Sequence, residues 1–483
     1  MATVLIGNSY VTAWEISPGV AKALDRATSY LVAGHFFDPR FKRKIWDGRE
    51  HLMQKLLDPG SYRLPVGLID VVRKILREHD VPVTYGIAKA QAKPPKLDLP
   101  WQGPELRGYQ REAVAAFMDP KRTQSLSRGI LDMPIRSGKT LTAAAVAHEL
   151  GTTTIFLVPS QLLLEQTAKA FRKALKTDVG IIGKGIWDPK GVTIASVQML
   201  VARRGKSIFT AKPEYRALAG KFGLVIFDEL HHLTGPVWHK VILDIDARYR
   251  LGLSATVFLE DNHEIERGVI WLKACTGDVV YKVSASRLVG EGHLLRPDVR
   301  LHRVTEPDLS DWKDWSQALK DRGIYMNGGR NQLITDLVVE HVGLGRRTLV
   351  VSKSLKQVAS LVTRIKAAGI ECKSMTGSTP GPQRQKLIAK FIAGDLLVIV
   401  GTVFGEGVDI PECEAVINAD GGRDKKATVQ RMRCLTPSPG KKGAYVDDFM
   451  DSTNPYLARH SLERLKVYRE EPAFKVRMIP ART

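Results

Sequence analysis

Apolar positions change rhythm along this chain. Near the N-terminus they alternate with polar ones: Thr3-Val4-Leu5-Ile6 and Val11-Thr12-Ala13-Trp14 read as short, half-buried strands. Residues 21–31 and 69–79 repeat at three- and four-residue spacing and predict helices. Asp47-Gly48 is a hairpin-turn signal. From about residue 105 the pattern is different. Predominantly apolar runs at 129–131, 154–158, 192–196, 224–227, 348–352, 397–402 and 415–418 are separated by stretches of helix formers. Continuous apolar strands alternating with helices indicate mostly parallel sheets covered on both faces, so the fold class is α/β.

Punctuation between the runs sets the organisation. Residues 88–104 are rich in Pro, Lys and Ala and read as a linker. This divides a small N-terminal α/β domain, 1–96, from a first alternating set, 105–285. The less regular 286–335, with Trp312 and Trp315, is expected to be a hinge with a helical excursion. A second alternating set follows at 336–450, then a basic helical tail at 451–483.

Bulk composition narrows the class of function. No apolar run approaches the roughly 18–20 residues that span a bilayer, and the first residues lack a secretory pattern. Cys275, Cys372, Cys413 and Cys434 are far apart, which argues against a zinc site or a disulfide framework and fits a reducing cytoplasm. The net charge is +21. A chain this basic is expected to meet a polyanion, nucleic acid first. Residues 1–96 alone carry 15 Lys and Arg against 9 Asp and Glu. Within them Arg40, Lys42, Arg43, Lys44 and Arg49 lie close together, interleaved with Phe41 and Trp46. The five cations are expected to contact phosphates without reading sequence. Phe41 and Trp46 are expected in the core.

Two motifs carry chemistry. Met133-Pro134-Ile135-Arg136-Ser137-Gly138-Lys139-Thr140 follows an apolar run and opens a helix, which is the phosphate-loop arrangement. Free N–H groups and the helix dipole at such a helix start favour a phosphate, Lys139 would reach its outer oxygens, and the Thr140 hydroxyl would ligate Mg²⁺. The loop departs from the usual patterns: Met133 and Arg136 stand where glycines are common. The second motif, Asp228-Glu229-Leu230-His231, ends the run 224–227. An acidic pair there asks for a cation. Asp228 would hold Mg²⁺ and Glu229 would polarise the attacking water.

As an ordered set, Arg107/Gln110, Gly138-Lys139-Thr140, Val158-Pro159-Ser160, Asp228-Glu229-Leu230-His231, Ser254-Ala255-Thr256, Gly405-Glu406-Gly407-Val408-Asp409 and Gln430-Arg431 resemble the motifs of superfamily-two helicases of the DExH type. The resemblance implies two tandem RecA-like parallel-sheet domains with ATP between them. Residue by residue, it implies Ser137, Gly138, Lys139 and Thr140 at the phosphates and Arg107 and Gln110 on the adenine side. Thr140 and Asp228 fall at Mg²⁺, Ser254, Thr256, His231 and Gln430 in coupling, and Gly407 and Asp409 on the opposite wall. Further, Asp38-Pro39-Arg40-Phe41, Trp46-Asp47-Gly48-Arg49 and Leu64-Pro65-x-Gly67-Leu68 are similar to the front domain of UvsW-like phage helicases; XPB and RecG share the motor logic. That resemblance implies a cytoplasmic, DNA-dependent ATPase that remodels forked and branched duplexes and single strands in phage replication, recombination and repair. The sixth motif departs from the family: Cys434 and Pro437 stand where arginines are usual, leaving Arg431 or Arg433 for that role. An RNA helicase, or a nucleic-acid-annealing protein with a weakened ATPase, are the alternatives.

Overall fold

The computed structural model describes the backbone of residues 1–32, 34–88, 95–121, 127–159, 161–204, 208–228, 236–254, 267–313, 315–402, 410–423 and 433–480. It forms two compact units: Met1–Met133 with Gly138–Lys282, and Pro134–Ser137 with Val283–Thr483.

The first unit opens with a five-stranded sheet in the order Gln54–Lys55, Tyr62–Pro65, Tyr10–Trp14, Ala2–Ile6, Val83–Ile87. Alternation does what the pattern predicts. Val4, Ile6, Val11 and Ala13 face inward and pack with Leu24, Val72 and Leu76 from the helices Pro18–Ala27 and Ile69–Glu78. Each buried Val, Leu or Ile side chain among them contributes roughly 1.5–3 kcal/mol. Two local expectations are corrected. The first helix stops at Ala27, because Ser29–Leu31 leaves to pair antiparallel with Arg49–His51. Asp47-Gly48 is therefore not a tight hairpin. Gly48 does take φ +81°, but it closes a long excursion, its carbonyl accepting the Val32 N–H at 2.8 Å.

This front sheet is bonded to the next one within the same unit. Arg250, fully buried, donates to the carbonyl of Asn8 and the Ser9 hydroxyl, each at 2.9 Å. Arg128 donates to the Gly7 carbonyl at 3.1 Å. Gly67 has no room for a side chain, since a Cβ would lie 1.9 Å from the Lys273 carbonyl oxygen. Of the expected linker, 89–94 lies outside the described residues, and the remainder is docked rather than loose. Leu97 N–H donates to the Gly151 carbonyl (2.9 Å), the Thr152 hydroxyl to that of Pro95 (2.6 Å), and Leu99 is buried. Two leucines among prolines and lysines are enough to hold it down.

The larger sheet of this unit runs Ile186–Asp188, Val179–Gly183, Val192–Ser196, Thr154–Val158, Leu224–Phe227, Tyr249–Ser254, Arg128–Asp132, Val279–Lys282. Every pairing is parallel except that of the first edge strand. Thr154–Val158 and Val192–Ser196 are buried at every position, as continuous apolar runs require. The helices Gly108–Met118, Lys139–Leu150 and Gln161–Leu175 pack in succession beside it.

The second unit holds a seven-stranded, all-parallel sheet: Cys372–Met375, Val398–Gly401, Thr348–Val351, Ala415–Asn418, Ala444–Asp451, Pro297–Val304, Lys475–Ile479. Pro297–Val304 lies in the stretch expected to be a hinge, and the tail supplies both the helix Pro455–Arg469 and an edge strand. Arg300 and His302 hide the apolar rhythm of Pro297–Val304. Both reach buried Asp447: Arg300 Nε at 2.8 Å and His302 Nε2 at 2.7 Å, with His341 Nε2 at 2.7 Å on the other oxygen. Burial by itself would raise the Asp447 pKa; the hydrogen bonds from His302 and His341 and the charge of Arg300 outweigh it and hold the carboxyl well below the usual range. Two neighbours are paired likewise, Asp448 with Arg464 (3.1 Å) and Asp451 with Arg330 (2.7 Å). Among the described residues, no helix is long and apolar enough to cross a membrane.

Candidate active site

The strand Arg128–Asp132 is buried at every position and delivers the chain to the phosphate loop. Met133 N–H donates to the Ser254 carbonyl at 2.8 Å, which ties the root of the loop to the end of the neighbouring strand. Arg136 has φ +66° and Gly138 φ +79°. The position where glycine is usual in helicase loops thus does adopt the left-handed backbone that glycine supplies, and arginine takes it at a cost of about 1–2 kcal/mol. Gly138 caps the 12-residue helix Lys139–Leu150, whose first N–H groups have no intrahelical acceptors. Lys139 is buried with its Nζ 3.4 Å from the Met133 carbonyl oxygen, and Thr140 is half-buried.

Gln110, in the first turn of Gly108–Met118, lies against this loop. Its Oε1 accepts the Arg107 N–H at 3.0 Å, and a Cβ on Gly138 would stand 2.5 Å from its Nε2. The sequence-predicted pair Arg107/Gln110 and the loop are therefore brought together.

Parallel pairing settles where Asp228 falls. Asp132 is in register with Ser254, and Gly252 with Phe227. Three adjacent strands thus end on one edge of one sheet, carrying the phosphate loop, Ser254 and Asp228. Strands are about 4.8 Å apart, so the outer two of the three lie roughly 10 Å from one another. Asp228 is half-buried and its N–H donates to the Leu157 carbonyl at 3.2 Å. Hydroxyl, carboxylate and ammonium groups with a helix N-terminus form a donor set that fits a magnesium nucleotide. Sequence reasoning passed over Asp132, which is 7% exposed with Lys282 Nζ 3.7 Å away. An acidic residue ending a buried strand was the available signal.

Glu229, His231, Thr256, Gly407, Asp409, Gln430 and Arg431 lie outside the described residues, as does the side chain of Arg433. Cys434 is fully buried, its Sγ 3.4 Å from the Tyr445 carbonyl oxygen and its thiol pushed up to about 11 by burial. Position 434 is core, which is why it carries a small apolar side chain in place of an arginine.

The front cations are not equivalent. Arg40 is held by Asp38 (Nη2 to Oδ2, 2.8 Å) and lies over the Trp46 ring at 5.0 Å. That hydrogen bond lowers the Asp38 carboxyl below its usual value. Arg49 donates to the Ser29 hydroxyl (2.9 Å) and carbonyl (2.7 Å). Lys42, Arg43 and Lys44 are exposed. Phe41 and Trp46 are half-buried rather than core: Phe41 meets His35 edge-on at 4.7 Å, and Trp46 Nε1 donates to the Arg49 carbonyl at 2.6 Å. They brace the excursion that presents the lysines.

Comparison with known proteins gives the frame for this geometry. Residues 103–259 match the family described as type III restriction enzyme, res subunit, and residues 329–433 match the helicase conserved C-terminal domain. The DNA 3'-5' helicase XPB of Kineococcus radiotolerans is 28% identical over 71% of this chain and 59% of its own length. The chain spans less than two thirds of the first curated relatives it matches. The restriction-modification enzyme LlaBIII, solved bound to DNA, shares the fold at TM-score 0.56 and 15% identity over 84% of this chain and 34% of its own. T4 UvsW aligns over 99% of both chains at TM-score 0.43 and 19% identity. On the family matches and the motif order, the chain belongs to the superfamily-two helicases.

Proposed function

We propose that this chain is an ATP-driven DNA helicase or translocase that remodels branched duplexes in replication, recombination and repair, and that it works in the cytoplasm of a phage-infected host. The observation that carries the motor reading is the convergence of Lys139, Ser254 and Asp228 on one edge of one parallel sheet. The name of the XPB relative supports DNA as the polymer, and the basic front sheet supports contact with duplex. Cys275, Cys372, Cys413 and Cys434 are buried free thiols, in keeping with a reducing compartment.

Ser137, Gly138, Lys139 and the first helical N–H groups would hold the nucleotide phosphates. Thr140 and Asp228 would hold Mg²⁺, and Arg107 and Gln110 would stand on the adenine side. Glu229 would orient water, Gly407, Asp409 and Arg431 or Arg433 would complete the site, and Ser254, Thr256, His231 and Gln430 would couple it to strand movement. The bound magnesium nucleotide supplies the phosphoanhydride bond whose hydrolysis drives the cycle. Phosphate release measured with no nucleic acid, with forked DNA and with duplex RNA tests this. Stimulation by forked DNA is expected; stimulation by RNA alone overturns the choice of polymer, and no stimulation overturns the motor.

The buried Cys434 favours one second reading, a strand-annealing protein with a weakened ATPase. It requires annealing without ATP together with nucleotide binding that DNA does not convert to turnover.

A further inference from the structure

The second unit holds a cavity of about 480 Å³ that none of the helicase motifs uses. Trp315, Tyr456 and His460 line it together with Lys320, Arg423 and Arg459, and in total four cationic side chains face one carboxylate, that of Asp420. Trp315 is 41% exposed, as is Tyr456. The Trp315 indole meets His460 edge-on at 4.5 Å, and Lys320 Nζ lies 4.7 Å from its ring centre. His460 is 8% exposed, and its Nδ1 has no hydrogen-bond partner among the described residues. Burial, then the charges of Arg423, Arg464 and Lys320, push its pKa down to about 4, so the ring is neutral at pH 7.

Each feature is costly without a ligand. An indole is left 41% exposed to water, and a buried ring nitrogen is left unsatisfied. Flat aromatic faces, a neutral hydrogen-bonding ring and an excess of cations are together complementary to an aromatic base carrying a phosphate. The volume suits one such unit.

We propose that this cavity takes one nucleotide unit of a single strand, with the base stacked on Trp315 beside the His460 ring and the phosphate facing Arg423 and Arg459. The choice of a strand over a free nucleotide rests on the motor reading above; the site itself does not.

The test uses the full chain without ATP, so that turnover plays no part, and titrates a fluorescent twelve-residue oligo(dT), an abasic strand of equal length and thymidine monophosphate. A stacked base accounts for roughly 1–3 kcal/mol, so Trp315→Ala is expected to weaken oligo(dT) about 5- to 150-fold, while Trp315→Phe keeps most of the affinity. Arg459→Ala is expected to flatten the log affinity against log salt slope by about 0.7. The abasic strand should bind more weakly than oligo(dT) and be indifferent to Trp315→Ala. Oligo(dT) affinity unchanged by Trp315→Ala, or equal binding of the abasic strand, overturns the site. Thymidine monophosphate binding as tightly as the strand overturns the choice of polymer. Should forked DNA fail to stimulate phosphate release while oligo(dT) still binds through Trp315, the motor reading falls and the site stands.

Discussion

Gln110 lies so close over Gly138 that a methyl group on Gly138 would come within 2.5 Å of its Nε2. The amide cannot swing aside freely, because Gln110 is 2% exposed and its Oε1 accepts the Arg107 N–H at the helix start. Gly138 is also needed for its backbone, at φ +79°. Two independent demands fall on one residue. We expect Gly138→Ala to lose about 1–2 kcal/mol for the left-handed backbone and about 1 kcal/mol more for the displaced cap. Adding Gln110→Ala removes the clash and the cap together, so the two substitutions should cost less in combination than the sum of the single variants. Urea midpoints of the single and double variants measure both parts, and a fluorescent ATP analogue should bind Gly138→Ala more weakly than the parent.

Arg136 poses the opposite case, a side chain where the backbone asks for none. Its φ of +66° is free only to glycine. Arg136→Gly should therefore be no less stable than the parent, although glycine inside a helix or strand costs about 0.5–1 kcal/mol relative to alanine. Arg136→Val, β-branched at the same φ, should lose about 1–2 kcal/mol. A large loss in the glycine variant would mean that contacts of the guanidinium, rather than the backbone, decide this position.

Much of this fold was legible because parallel strands buried on both faces are predominantly apolar. Thr154–Val158, Leu224–Phe227 and Ala415–Asn418 advertise themselves. Pro297–Val304 did not, because a buried strand carries charge where a partner waits for it: Arg300 and His302 look like surface until Asp447 is placed beside them, and Asp447 is 145 residues away from His302. The same long-range pairing explains why Asp448 and Asp451 can stand in Ala444–Asp451. At the candidate site, the placement of Gly138-Lys139-Thr140 at a helix start and of Asp228 just after a strand was legible from local motif and spacing. The contact of Gln110 with Gly138, and the gathering of Trp315 with His460, were not, since both join residues far apart in sequence on different helices and loops.

Lys139→Ala should abolish DNA-stimulated phosphate release while leaving DNA affinity within about twofold. Its ammonium is buried beside the Met133 carbonyl, and on the proposed reading it would hold the nucleotide rather than the strand. Asp228→Asn keeps the size of the side chain and removes the charge that would face Mg²⁺. Its turnover should be strongly reduced, with part of the loss recovered at raised Mg²⁺. Steady-state ATPase assays across a Mg²⁺ series, paired with fluorescence anisotropy on forked DNA, check both.

Two buried groups should mark separate pH windows of stability. The folded-state pKa of His460 lies near 4, below the ordinary 6.5, so as pH falls the unfolded chain takes up that proton first. Its contribution is complete above about pH 6.5 and drains away towards pH 4, at a slope of up to about 1.4 kcal/mol per pH unit. His460→Gln should flatten that part of the curve. Asp447 is likewise depressed, despite its burial, by His302, His341 and Arg300. Its contribution persists above the unfolded carboxylate range and is lost only below about pH 4. Asp447→Asn should cost about 3–5 kcal/mol at neutral pH, because it strips the Arg300 guanidinium of its buried carboxylate partner, and that difference should stay level down to pH 5. Denaturant midpoints at half-unit pH steps separate the two windows.

The cations of the N-terminal region fall into two groups, those bonded within its own fold and those exposed to solvent. Arg49 is committed to Ser29, joining Ser29–Leu31 to Arg49–His51, and Arg40 is clamped by Asp38. Lys42, Arg43 and Lys44 point into solvent on the excursion braced by Phe41 and Trp46. If these three meet the backbone of duplex DNA, each releases about 0.9 of a counterion, so replacing all three with alanine should flatten the log affinity against log salt slope by about 2.7. The loss should be the same on unrelated duplex sequences, because phosphate contacts carry no sequence information. Arg49→Ala should behave differently, lowering the melting temperature through two lost hydrogen bonds while moving the salt slope by less than one contact. An unchanged slope in the triple variant would make the lysine run a solvated face and would put the duplex contact elsewhere on the chain.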